Sequence, residues 1–520
     1  MISGGRRSTR RNLAIFAATL VGAALIAAAP TPDGLSLRGQ YAIATMFFAA
    51  ALWVTRAMPL AVTALSIPAL LTLFGVYADI DLALAGFANH LIFLFLAGFM
   101  LANALQKYGI DRRIALWVMA RAGSSPRRLI LGIMLATAFL SMWVSNTATT
   151  AMMTPIALGV LAQVVGRDEM PTEDGEETFS NIQIATLLGT AYAASVGGVG
   201  TLIGTPPNAV VAATLTQHLG YSLTFSDWLF IGLPIVVVTL PIVWYVLTFW
   251  LYPPEISDVT KARAEATRFL DEEGDLGPEG RRVAWIFATT AVLWVLGGLG
   301  FLFEDVLPPR VFTTVFGGSG ETLLGVTGHQ GVLYYVSVGL YAIPAMALAD
   351  TMDWDELADI DWGTILLFGG GISLADAFAK TGATGWLAAQ IFGRLQQAPV
   401  LVLVAAVVLF VILLTELTSN TATTAIVAPV LIGLGSAFAS TLGLDPVAAA
   451  VFLSVAGAIA ASFAFALPVS TPPNAIVFGS GHMRQRHMLR AGMVLNLLMT
   501  VVLTALVAIL FYFVWPLFLW

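Results

Sequence analysis

A chain of 520 residues that is 58% hydrophobic and only 11% charged, with a mean hydropathy of +0.86, has too little polar surface to face water on all sides; soluble domains carry about 25% charged residues. Its net charge of −7 decides little, because in a lipid-solvated chain the placement of charge outweighs its sum. The absence of cysteine excludes disulfides and thiolate metal sites. No zinc-protease, serine-nucleophile or Walker pattern is present, so neither an enzyme nor a nucleic-acid partner is expected.

Arg6, Arg7, Arg10 and Arg11 precede an apolar run from Leu13 to Ala29. The run is long enough to span a bilayer and is read as a retained first helix, not a cleaved leader. Apolar spans follow at 13–30, 40–55, 60–77, 90–106, 182–202, 228–251, 283–303, 331–349, 362–379, 446–467 and 489–516. Two further stretches, 129–163 and 400–437, are each interrupted by Ser-Asn-Thr. Half of such a stretch is short for a ~30 Å hydrocarbon core, which suggests re-entrant hairpins. Irregular backbone at that depth is tolerated only where protein or a water-filled cavity covers it.

Placing the N-terminus in the cytoplasm and letting neither hairpin cross puts 20 of the 24 basic residues inside. Only Arg38, Arg310, Lys380 and Arg394 fall outside, as the positive-inside rule favours. The expected class is therefore an all-α polytopic membrane protein. It has about 11 transmembrane helices and two re-entrant hairpins, in the cytoplasmic membrane, with its C-terminus outside. The polar segment 252–282 reads as a cytoplasmic linker and the Gly-rich 304–330 as an outer loop.

Three motifs recur in the same order on both sides of that linker. FLAGFMLANALQKYG at 95–109 aligns with FGGGISLADAFAKTG at 368–382, SNTATTA at 145–151 with 419–425, and TPPNA at 205–209 with 471–475. Chance does not supply three matches in register. The expected crossings between Lys107 and Lys380 are odd in number, so the copies should be inverted. This divides the chain into a tail and first helix (1–38), a first repeat (39–251), the linker (252–282) and a second repeat (283–520). The first repeat has its hairpin at 129–163 and an interrupted helix at 182–218; the second has them at 400–437 and 446–480. Inverted repeats with interrupted helices at matching places point to a secondary transporter.

Ser, Asn and Thr cap helix N-termini, so each tip (Ser145-Asn146-Thr147 and Ser419-Asn420-Thr421) should begin a returning half-helix. A helix N-terminus offers free N–H groups and about half a positive charge, which suits an anion. Two such tips from opposite sides would match a dicarboxylate. The prolines of Gly204-Thr205-Pro206-Pro207 and Ser470-Thr471-Pro472-Pro473 should unwind their spans and free carbonyls for hard cations. Oxygens of Ser141, Asn146, Thr415 and Asn420 come within reach if each tip packs on its own unwound span. Neither tip nor either break holds Arg, Lys or His, so a buried dianion needs bound cations or helix ends for compensation. A single Ser-Asn-Thr is equally explained as interhelical hydrogen bonding; two in register are not. Glu416 and Asp376 are ionisable within spans. Asp376 reads as structural, and Glu416 equally as functional or as a brace.

With SMWVSNTATT, GTLIGTPPNA, TELTSNTATT and STPPNA in view, the chain resembles the divalent anion/sodium symporter family of dicarboxylate carriers from about residue 40 to 515. The resemblance implies a homodimer, with scaffold and transport domains and elevator-type movement of the latter. It implies sodium-coupled carriage of C4-dicarboxylates (succinate, malate, fumarate). Sodium-independent exchange, or a sulfate or citrate cargo, are the alternatives within the family. The implied substrate site draws on Ser145, Asn146, Thr147, Thr205, Pro206, Ser419, Asn420, Thr421, Thr471 and Pro472. One implied sodium site uses Ser141, Ser145, Asn146 and Gly204, the other Thr415, Thr418, Asn420 and Ser470. The chain departs from the family at Thr55-Arg56-Ala57-Met58-Pro59, where Arg56 replaces a common acidic residue.

Overall fold

The computed structural model describes residues 3–121, 125–165, 179–393 and 398–517; Arg167 and Arg394, used above for orientation, lie outside them. Every expected apolar span carries a helix. Among the described residues, seven helices are long and apolar enough to cross a membrane, and three more are apolar but shorter. One expected span in each half is broken. The span expected at 182–202 ends at Gly198 and resumes as Pro206–Leu219. The span expected at 446–467 ends at Ala460 and resumes as Pro472–Gly479.

The prolines sit one step from where the sequence suggested. They do not occupy the unwound stretches, 199–205 and 461–471. They open the helices that follow, with Thr205 and Thr471 in extended backbone just before them. A proline at the first helical position loses no hydrogen bond and arrives with φ already set.

Each hairpin consists of two helices with a short break. Pro126–Ser141 is followed by Asn146–Val165, and Val400–Leu417 by Asn420–Ala437. The arms are longer than expected because so few residues are spent at the tips. Both arms of the second hairpin have the length and hydropathy of a span, so shortness does not argue for re-entry there.

The packing explains how two distant motifs come together. Each hairpin lies against the first piece of its own broken span: Pro126–Ser141 on Asn181–Gly198, and Asn420–Ala437 on Pro446–Ala460. The second pieces cross over. Pro206–Leu219 packs on Asn420–Ala437, and Pro472–Gly479 packs on Asn146–Val165. Small residues make the close approach feasible, as in membrane helix pairs generally. A Cβ on Gly197 would collide with the Ala138 backbone.

Two segments hold more structure than their composition suggested. The linker contains a helix, Thr260–Glu273, that docks on Ile110–Ala120 and on the second arm of the first hairpin. Its Glu273 receives Arg112 at 2.8 Å, and buried Glu265 pairs with Arg268. The Gly-rich segment 304–330 carries a short helix, Pro309–Phe316, and an antiparallel pair, Gly318–Glu321 with Thr327–His329. The all-α expectation is corrected there: the glycines at 317, 318, 325, 328 and 331 adopt positive φ, which permits a tight hairpin.

Candidate functional site

One cavity of about 500 Å³ is lined by both tips and both restarted helices. Ser145, Asn146, Thr147, Thr205, Pro206, Ser419, Asn420, Thr421, Thr471 and Pro472 all lie on its wall. Residues that the sequence did not single out complete it, among them Asn103, Gln106, Asp359, Asp361 and Thr364. Asn103 and Gln106 fall within the first copy of the Phe-Gly repeat, where a period-3.6 face toward the tips was available as a signal. Asp359 and Asp361 carry no motif.

The two tips are built alike. Ser145 Oγ accepts the Ala148 amide at 3.3 Å, and Ser419 Oγ accepts that of Ala422 at 3.1 Å. Such caps stabilise a helix start by about 1 kcal/mol. By helix geometry the amides of the first turn remain without intrahelical acceptors. Behind each tip, Ser141 Oγ donates to Asn146 Oδ1 at 2.6 Å and also contacts the Ala194 carbonyl at 2.7 Å. In the second copy Thr415 Oγ1 lies 2.8 Å from Asn420 Oδ1 and 2.9 Å from the Ala461 carbonyl. Thr150 and Thr424 close the pattern by donating to the carbonyls of Asn146 and Asn420. Asn146 also donates to Thr205 Oγ1 at 3.5 Å, whereas Thr471 Oγ1 accepts the Asn474 amide.

The asparagines of TPPNA hold the breaks open. Asn208 Nδ2 donates to the carbonyls of Gly198 and Thr201 at 3.0 and 2.7 Å. Asn474 Nδ2 does the same for Ala464 and Leu467 at 3.0 and 3.1 Å. Both side chains are fully buried. They were quoted in the motif but not singled out, because an amide that satisfies carbonyls ten and seven residues back leaves no spacing signature. Gly198 gives the first tip its room: a Cβ there would run into Asn146 Oδ1.

The residues proposed for sodium divide unevenly. Ser141, Asn146 and Gly204 cluster at the first break, and Gly204 is tight against the Gly198 carbonyl. Thr415 and Asn420 meet at the second. Thr418 Oγ1 is buried there with no partner among the described residues. Ser470 Oγ is already turned to the Leu467 carbonyl at 2.7 Å and receives Asn474, so any part it plays falls to its backbone.

Glu416 is a brace. It is buried, and it accepts the amides of Ala466 and Leu467 at 2.7 and 3.0 Å and the Asn496 side chain at 2.6 Å. It thus ties the second break to Gln485–Ile509. Asp376 is held by Tyr77 at 2.5 Å and Lys380 at 2.7 Å, away from the cavity.

The fold resembles the crystal structure of the Alcanivorax borkumensis YdaH transporter, with a TM-score of 0.53 at 16% identity, covering 86% of this chain and 88% of that one. The sequence is 34% identical over 480 residues to the sodium-dependent dicarboxylate transporter SdcS of Staphylococcus saprophyticus, covering 92% of this chain and 87% of the relative. It is 33% identical over 488 residues to SdcS of Staphylococcus aureus, covering 93% and 88%. The model of the sodium:sulfate symporter transmembrane region matches residues 10–520. That match runs through both hairpins and both broken helices, so the chain belongs to the sodium:sulfate symporter family.

Proposed function

We propose that this transporter carries a C4-dicarboxylate such as succinate, coupled to sodium. The carrying observation is electrostatic. The cavity wall has the donors for a dianion but no Lys, Arg or His among the described residues, and its ionisable side chains are Asp359 and Asp361. Asp361 is engaged by Thr364, yet its charge still opposes an anion. Four helix N-termini reach the wall, at Asn146, Pro206, Asn420 and Pro472, each with about half a positive charge; Asp359 and Asp361 offset that, which leaves a dianion uncompensated. The paired oxygens at Ser141 with Asn146, and at Thr415 with Asn420, are hard ligands of the kind alkali cations use. Two sodium ions placed there would neutralise the cargo. The SdcS relatives are sodium-dependent dicarboxylate transporters, which agrees with this reading.

Binding linkage is reciprocal, so sodium at the tips must raise succinate affinity. Titrating the purified protein with succinate in sodium and in choline buffers of equal ionic strength tests this. The expected result is at least a ten-fold tighter dissociation constant in sodium, about 1.4 kcal/mol. Equal affinities would favour sodium-independent exchange.

A further inference from the structure

Arg56 ends the helix Leu37–Thr55 with φ 51° and ψ 32°. Side chains with a β-carbon rarely adopt that left-handed region. Among the described non-glycine residues only Arg56 and Asp350 do so. Its guanidinium crosses to the second break, where Nη2 donates to the Val469 carbonyl at 2.6 Å. A strained backbone held by a long-range contact is a reason to ask what the side chain does.

Arg56 lines a second cavity, next to the first. Leu60, Ser419, Thr471 and Pro472 are common to both walls. Arg56 is the only Lys, Arg or His among the described residues on either wall, and the first cavity has Asp359 and Asp361 instead. A dianion approaching the tips therefore meets opposite fields on the two sides. The side with Asp359 and Asp361 favours cations, and the side with Arg56 favours the anion.

We propose that Arg56 recruits the anionic cargo. In the layout expected from the basic residues Arg56 faces the cytoplasm, so its guanidinium draws a small dicarboxylate from that side into the cavity behind Ser419 and Thr471 and sets the rate at which the anion reaches the tips. The inference rests on the dianion-carrier reading above. Arg56 acts through its field, so its signature is a salt-dependent association rate. The competing role is purely structural: fastening the turn at 56–59 to Val469.

The test is stopped-flow association of succinate with the purified protein at constant saturating sodium, with ionic strength raised by choline chloride. Arg56→Gln should lower the association rate on the order of five-fold at low salt, as expected for a dianion within about 8 Å of a unit charge in water. The difference should close near 1 M salt, where the screening length is about 3 Å. Arg56→Lys should keep most of the wild-type rate and its salt dependence, and Arg56→Glu should fall below Gln. An Arg56→Gln rate equal to wild type at low salt overturns the proposal. So does a loss that ignores salt and that Lys fails to rescue, which is the outcome of a structural fastening. A wild type that binds no succinate in sodium sinks the dianion-carrier reading, and this inference with it; a wild type that binds, beside a salt-insensitive Arg56→Gln, sinks this inference alone.

Discussion

Asn146→Ala and Asn420→Ala are each expected to abolish transport while leaving a folded protein. Each asparagine stands at the first residue of a returning helix, with its side chain on the cavity wall. Its amide can meet a carboxylate while its oxygen, already paired with Ser141 or Thr415, meets sodium. Loss of a charge-assisted hydrogen bond costs about 1.5–3 kcal/mol, which is about 10- to 150-fold in affinity. Loss of a cation ligand adds to that. The fold should survive because the neighbours keep a second acceptor: Ser141 retains the Ala194 carbonyl, and Thr415 that of Ala461. If the asparagines only glue helices, the effect is different. Such interhelical bonds average about 0.6 kcal/mol, and the variants would melt slightly early yet transport normally per folded molecule. Melting temperature set against uptake rate separates the two.

Glu416→Ala should do the reverse, losing stability first and transport as a consequence. The carboxylate satisfies two backbone amides of the unwound stretch and the Asn496 side chain; the bonds from Ala466 and Asn496 are buried and that from Leu467 is partly so. Each buried donor left without an acceptor costs about 1–3 kcal/mol, so the substitution should cost roughly 3 kcal/mol or more. Tyr192, whose hydroxyl donates to the Phe465 carbonyl at 2.7 Å, then holds the stretch together with Asn474, Thr415 and Arg56. The measurement is thermal unfolding in detergent, followed by sodium-dependent stabilisation by succinate. A variant that melts like the wild type but has lost succinate binding would make Glu416 part of the site.

What could be read from the chain alone follows from how each feature is encoded. The tips and breaks were legible because capping and proline are local chemistry, and because each occurs twice. The position of the prolines at helix starts was not, since proline reports only that a helix does not precede it. Glu416 was undecidable in sequence: two of its partners are main-chain amides, which have no residue signature, and the third lies 80 residues away. The Arg56 to Val469 contact spans 413 residues and was invisible for the same reason. The linker helix was within reach, since Glu265, Arg268 and Glu272 stand at helical spacing, but so charged a segment has little apolar periodicity to mark it. The strand pair at 318–329 needed the glycine backbone angles themselves.

The central claim is that a dianion and sodium bind together at the paired tips and move together. Its most direct measurement is uptake of radiolabelled succinate into proteoliposomes, with and without an inward sodium gradient, and with internal succinate in a parallel set. The account predicts accumulation above equilibrium when the gradient is present, and little uptake when choline replaces sodium, whether or not the vesicles are preloaded. Uptake that ignores sodium and requires internal succinate would contradict it.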